Sequence, residues 1–364
     1  MNKKKIVDRF VELSYIMNRK KIVKKSNKRY FSMLEKRNIP IRRLTSEQKK
    51  AVDSIYKKYG FSYSYDTHEL VYSVTGKFYP DIVPEDLFRT EVEIYLNDIN
   101  SKYVLSDKNY FNVYMKDVRF PCTIVRNVEG VFYDHDYNVI SKEKALEIIN
   151  EYDKVVYKPS MENGIGKGVA LVDTASESPL DYGPKNYVIQ KVLRQHSALA
   201  KLNESSVNVC RMCTAFIDGQ VVVLTAALRI GAKGAFNDNS ISEDGMGMIV
   251  VGIDENGKLK DRGYYSCGLS TPCNADGVEF AGYEIPNFDK MVELAKKGHS
   301  MFPRIKFIAW DLCVEESGDI VCMEYNVKGP GVLYYQYVNG PLFGKYSEKI
   351  LSYAESEKKK RKLF

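Results

Sequence analysis

The chain has little of what most catalytic or membrane classes require. It has one tryptophan and four histidines in 364 residues, and no apolar run approaches the length of a membrane-spanning helix. Its N-terminus, Met1-Asn2-Lys3-Lys4-Lys5, lacks the apolar core of a signal peptide. The expected location is therefore cytoplasmic. No Ser/His/Asp or Cys/His arrangement stands out. His68 reads as a satisfied structural histidine, and His135 and His299 read as surface residues. The seven cysteines are odd in number and scattered through apolar segments, as expected of reduced thiols used as small core residues. Cys210 and Cys213 sit in one strand-like run at an odd separation, which sends the thiols to opposite faces and excludes a chelate. There is no Walker loop and no dinucleotide fingerprint.

The composition, 44% hydrophobic and 28% charged, is globular and long enough for two or three domains. The net charge of +7 is uneven, because residues 1–43 hold fifteen Lys/Arg against three Asp/Glu, a net of +12 that leaves −5 for the rest. Lys20, Lys21, Lys24, Lys25, Lys28 and Arg29 fall among Ile16, Met17, Ile22, Val23, Tyr30 and Phe31. That pattern suits a solvated helix, or an amphipathic one resting on anionic lipid at the inner membrane face. No motif supports nucleic-acid binding. Lys358 to Lys362 reads as a solvated basic tail.

Chemistry concentrates in Trp310 to Asn326, two apolar runs around Glu316-Ser317-Gly318-Asp319, which predict an antiparallel hairpin. Alternation puts Glu324 and Asn326 on one face and Met323 and Tyr325 on the other, with Asp311 on the neighbouring strand. Two carboxylates and an amide oxygen suit a hard cation such as Mg2+, and acids inside apolar runs are costly unless they serve a site.

Upstream, residues 1–60 favour helix, with apolar residues at helical spacing, and a second helix is predicted from Pro84. Ser106 or Asp107 caps a helix predicted to end near Asp117, placing Lys108 in its first turn. Val155-Val156-Tyr157-Lys158-Pro159 leads into Ser160 to Gly168 and then Val169 to Val172, a hairpin with a glycine-rich tip. Glycine lets backbone N–H groups surround phosphate oxygens, and Lys158 and Lys167 add charge. Tyr187 to Leu193 is a further strand. The strand bearing Arg211 turns at Asp218-Gly219 into one bearing Arg229. A plain two-residue loop would set Arg229 on the face opposite Arg211, so either a bulge intervenes or only one arginine reaches the site. Residues 231–248 form a long polar loop of the kind that binds or moves. A helix is predicted over 286–300.

In order and spacing these pieces resemble the ATP-grasp superfamily across about residues 105–340. Asn208 before Arg211, Arg229-Ile230-Gly231, Asp238-Asn239 and Gly329-Pro330-Gly331 resemble its sugar-transfer-associated branch, linked to bacterial polysaccharide assembly. The resemblance implies an α/β (α+β) ATP-grasp fold with nucleotide bound between two subdomains. It implies residues 105–190 as the small subdomain with the flap, 191–364 as the large one with the metal site, and 1–104 as a helical, basic, substrate-side region. It implies ATP held by Lys108 and Lys158, by the flap of Gly164, Gly166, Lys167 and Gly168, and by Gln190, Lys191, Val192 and His196. Mg2+ would be held by Asp311, Glu324 and Asn326. Arg211, Arg229 and Lys233 are the catalytic candidates, and Asn208, Asp238 and Asn239 the substrate candidates. The expected activity is ADP-forming carboxylate–amine ligation through an acyl phosphate, with a uronic acid and an amino acid as an example pair. A kinase acting on a sugar or polyol hydroxyl, or a non-catalytic nucleotide-binding module, are the alternatives.

Overall fold

The computed structural model describes residues 3–98, 101–161, 168–183, 185–238 and 245–360. Gly164, Gly166, Lys167 and Asn239 lie outside the described residues. The N-terminal part is helical: α1 (Lys3–Lys36), α2 (Ser46–Tyr56), α3 (Asp66–Thr75), α4 (Glu85–Leu87), a π turn (Phe88–Val92), α5 (Glu93–Leu96) and α6 (Ser101–Leu105). Thr45 opens α2 with a reciprocal cap, its hydroxyl accepting from Gln48 N at 3.2 Å while Gln48 returns a bond to Thr45 N at 3.0 Å. Asp107 accepts from Asn109 N at 3.0 Å and opens a 3-10 turn (Lys108–Tyr110) and a short α7 (Phe111–Tyr114), so this helix stops sooner than the sequence predicted.

Six strands, β1 (Thr123–Val128), β2 (Val131–Tyr133), β3 (Val139–Ile140), β4 (Lys154–Pro159), β5 (Ala170–Asp173) and β6 (Tyr187–Lys191), form one sheet in the order β3-β2-β1-β6-β4-β5. Helix α8 (Lys142–Asn150) packs on it, and the pairing of Tyr157 with Ala170 makes β4 and β5 the predicted hairpin. After the short α9 (Ser197–Ala200), β7 (Val209–Ile217), β8 (Gln220–Ile230), β9 (Ile249–Ile253), β10 (Leu259–Tyr265), β11 (Ser270–Thr271), β12 (Phe307–Val314) and β13 (Ile320–Asn326) build a second sheet. Its order is β11-β10-β9-β8-β7-β12-β13. Both sheets are antiparallel in every pairing.

The two faces of this second sheet carry different cores. One face, with Ile308, Trp310, Leu312 and Cys210, packs under α10 (Phe288–Ser300). Gly298 permits that approach, since a Cβ there would lie 2.6 Å from Trp310 Cη2. The other face, with Phe307, Ala309, Cys213 and Ala227, is covered by the N-terminal helices, by α11 (Leu333–Asn339) and by α12 (Ser347–Lys360). Cys210 and Cys213 therefore do lie on opposite faces.

Two surface readings are corrected here. His299 is fully buried: Trp310 Nε1 donates to Thr214 Oγ1 at 2.9 Å, which lies 2.7 Å from His299 Nδ1, and His299 Nε2 lies 2.8 Å from Ile305 O. Helical spacing within α10 puts His299 on the same side as Ala295 and Met291, which the sequence scan overlooked. The basic C-terminal run, as far as Lys360, is helical rather than a free tail. Lys358 Nζ pairs with Glu91 Oε2 at 2.6 Å because α12 lies against the helical stretch 85–96.

Candidate active site

Asp311, on β12, is the centre of the site. Its Cα faces Arg211 on β7 and Glu324 on β13, so three side chains project from neighbouring strands toward one face. Arg211 grips Asp311 bidentately, through Nε to Oδ1 and through Nη2 to Oδ2 at 2.9 Å. A bulge between Cys213 and Thr214 leaves Leu224 unpaired on β8 and brings Arg229 opposite Val209, on the same face as Arg211. Arg229 Nη2 thus reaches Asp311 Oδ1 at 3.2 Å, and both arginines meet the site. Arg229 Nε also lies 2.7 Å from Asp238 Oδ2, an ion pair off the hydrogen-bonding line.

Burial alone would push the Asp311 carboxyl up, but the two guanidiniums outweigh it and hold the group below its ordinary value. At Asp238 burial, reinforced by the charge of Asp311, wins over Arg229 and Arg211, and the carboxyl is raised. Tyr335 on α11 closes this cluster, with the Arg211 guanidinium 5.8 Å from its ring centroid. Tyr335 was missed in the sequence because α11 carries no motif.

Toward the open side, Glu324 Oε1 pairs with Lys108 Nζ at 3.0 Å. Lys108 N donates to Ser160 O at 2.9 Å, tying its turn to the end of β4, where Lys158 stands. Desolvation, then the charge of Lys108, push the Lys158 ammonium down to about 8, with Glu324 opposing. Asn326 turns its Nδ2 toward Ala309 O and Asp311 Oδ2, each at 3.5 Å, which leaves Oδ1 for another partner. Asp311, Glu324, Asn326, Arg211, Arg229, Asp238, Lys108 and Lys158 are therefore brought together.

Glu324 and Asn326 offer the oxygen donors a hard divalent cation takes, while both Asp311 oxygens already accept from Arg211 and one of them also meets Arg229. Two orphaned buried atoms fit a nucleotide nearby. Gln190 donates from Nε2 to Thr123 Oγ1 at 3.1 Å while its Oε1 is buried without a partner, and the Ser160 hydroxyl is likewise buried and unpartnered. At Gly168, φ of +79° disfavours any side chain, and a Cβ would crowd Pro159 Cγ at 3.1 Å.

Other predicted residues are placed apart from this cluster. Lys191 stacks its ammonium 4.9 Å from the Tyr152 ring centroid, and Val192 is exposed. His196 caps α9, its Nδ1 accepting from Ala198 N at 3.2 Å. Asn208 is buried, with Nδ2 donating to Leu199 O at 2.7 Å. Lys233 is exposed and pairs with Asp276.

Two antiparallel sheets meet at this cluster, with Lys158 on the first, Asp311, Glu324 and Asn326 on the second, and Lys108 on the turn before β1. Residues 175–350, just under half of the chain, match the family model described as sugar-transfer associated ATP-grasp, in line with the resemblance read from the motifs. Among solved structures the chain is similar to VanG D-Ala:D-Ser ligase from Enterococcus faecalis, at 14% identity over 69% of this chain and 61% of that one, TM-score 0.39. It is also similar to D-alanine-D-alanine ligase from Helicobacter pylori, at 14% over 70% and 59%, TM-score 0.38. A third likeness is to N5-carboxyaminoimidazole synthase from Aspergillus clavatus in complex with ADP and its ribonucleotide, at 11% over 70% and 53%, TM-score 0.41. The chain covers less than two thirds of the length of each of these structures. No curated protein matches it.

Proposed function

We propose that this chain is an ADP-forming carboxylate–amine ligase that takes ATP with Mg2+ and activates a carboxylic acid as its acyl phosphate for capture by an amine. The acid is read as a uronic acid of a glycan or glycan precursor, and the amine as an amino acid. One observation carries the reading: Asp311, Glu324 and Asn326 share a face with Lys108 and Lys158 beside them.

Bound MgATP would supply the γ-phosphoryl group and neutralise its charge. The rest falls to the chain's own residues. Lys108 and Lys158 would meet the phosphates, and Gln190 Oε1 would accept a bond from the nucleotide. Arg211 and Arg229 keep Asp311 ionised, so no proton has to leave before a cation binds. Arg229 and Asp238 would face the acid.

The partner side of the reading includes an anionic membrane surface. Helix α1 exposes Phe10 (73%), Leu13 (51%) and Met17 (64%) in line with exposed Lys21, Lys24 and Lys28. Among the described residues no helix is long and apolar enough to cross a membrane; the contact is read as peripheral, at the cytoplasmic face.

Incubation with ATP, Mg2+, hydroxylamine and a panel of acids should yield ADP and a hydroxamate. Absence of both with every acid overturns the reading, and phosphate retained on an alcohol product identifies a kinase instead. Co-flotation of the protein with phosphatidylglycerol vesicles, lost at high salt, is expected for the membrane contact.

A further inference from the structure

Glu85, Arg89, Glu93 and Asn97 recur every four residues through α4, the π turn and α5 to the residue that caps it. On a regular α-helix such a row drifts around the axis by roughly 40° per step, because the period is 3.6. The π turn over Phe88–Val92, with its wider i→i+5 winding, works against that drift, and π turns recur at functional sites. Three residues of the row, Glu85, Glu93 and Asn97, hold the segment that leaves β13 directly after Asn326. Asn97 Nδ2 donates to Val327 O at 2.8 Å and to Phe307 O at 2.7 Å, fastening the end of β13 to the start of β12. Glu93 Oε1 accepts from Gly329 N at 2.6 Å, and Glu85 Oε2 accepts from Val332 N at 2.9 Å.

Arg19, from α1, completes the row. Its Nη2 stands 2.9 Å from Glu93 Oε2, and its Nη1 donates to Arg89 O at 2.9 Å. Arg89 Nε in turn binds Glu85 Oε1 at 2.6 Å. The guanidiniums lie close against the turn, and at Gly329, whose φ of +63° itself disfavours a side chain, a Cβ would lie 3.3 Å from Arg19 Nη2. Glu93 is 1% exposed, so its charge stays buried only while Arg19 faces it.

We propose that Arg19 and Glu93 are positioning residues for the turn 327–332, which they hold in place behind Asn326. The N-terminal helix then belongs to the catalytic unit as well as to any docking surface. The catalytic half of this proposal rests on the ligase reading above, and the mechanical half does not.

The test uses the full chain as Arg19→Ala, Arg19→Lys and Glu93→Gln, with amide hydrogen exchange at Gly329 and Val332 read beside ATP binding and ADP formation. In Arg19→Ala, exchange at the two amides is expected to quicken about tenfold or more, with ATP affinity within about twofold and exchange in the sheet cores little changed. With the acid that gives hydroxamate, kcat should fall about tenfold while KM for ATP holds. Arg19→Lys, which restores the charge, should recover most of both effects. Glu93→Gln keeps an acceptor for Gly329 N and should show the smaller change. Unchanged exchange in Arg19→Ala overturns the proposal. Loss of melting and ATP affinity together with faster exchange throughout the chain also overturns it, by showing a purely structural role. If the wild-type chain binds no ATP, the ligase reading fails while the exchange result still decides the coupling.

Discussion

Arg211 and Asp311 stand directly opposite one another on β7 and β12 and are joined by two parallel hydrogen bonds inside the protein. The second guanidinium, Arg229, reaches the same carboxylate from β8. Removing the carboxylate leaves two buried cations with one acid nearby, Asp238, which is paired to Arg229. Asp311→Ala is therefore expected to destabilise the fold by about 3–5 kcal/mol, and urea unfolding measures it. A loss under about 1 kcal/mol would mean the pair is far better solvated than its burial indicates.

Glu324 sits at the open side of the same site, and its part-exposed contact with Lys108 contributes at most about 1 kcal/mol. Glu324→Ala should therefore melt close to the wild type and yet abolish ATP turnover, because a cation ligand is gone. Turnover at the wild-type rate over a Mg2+ titration would show that the cation lies elsewhere.

Lys158 gives a pH signature on the basic side. Its ammonium is held down to about 8 in the fold, from 10.5. Between those values the unfolded chain binds the proton and the folded chain does not, so this group makes stability rise with pH; below 8 its burial cost is present in full. ATP affinity should move the opposite way and weaken above about pH 8, as the charge that meets phosphate is lost. Lys158→Met should flatten both trends, and an identical pH profile in that variant would remove Lys158 from the phosphate site.

On the acid side, burial pushes His68 and His299 down to about 4 from 6.5. The unfolded chain takes up these protons first, so stability is expected to fall as pH drops from 6.5 toward 4, by roughly 2–3 kcal/mol per histidine at the low end. Denaturant melts of His299→Gln against the wild type over that range check the slope. Parallel curves would assign the acid loss to carboxylates alone.

Much of the site was legible in the chain because alternation along a strand is a local property of the backbone. It put Glu324 and Asn326 on one face and sent Cys210 and Cys213 to opposite cores before any partner strand was known. The glycine hairpin and the Asp218-Gly219 turn are likewise local: both turn residues take positive φ, 51° and 78°, a conformation that aspartate tolerates and glycine favours. Strands β9 to β11 escaped notice because their pattern is short and interrupted.

What the sequence determined by itself was the order of the chemical groups and the face each takes on its own strand, since covalent geometry sets both. Whether Arg229 joins Arg211 was left open by the sequence and decided by one bulge residue, Leu224, whose place depends on how β8 registers against β7. The hold of Glu93 on Gly329, 236 residues away, and of Arg19 on Glu93 exists only because α1 and the π-turned helix pack on the same sheet face as the site. Contacts of that range follow from how segments pack against each other, and no periodicity within any one segment encodes them.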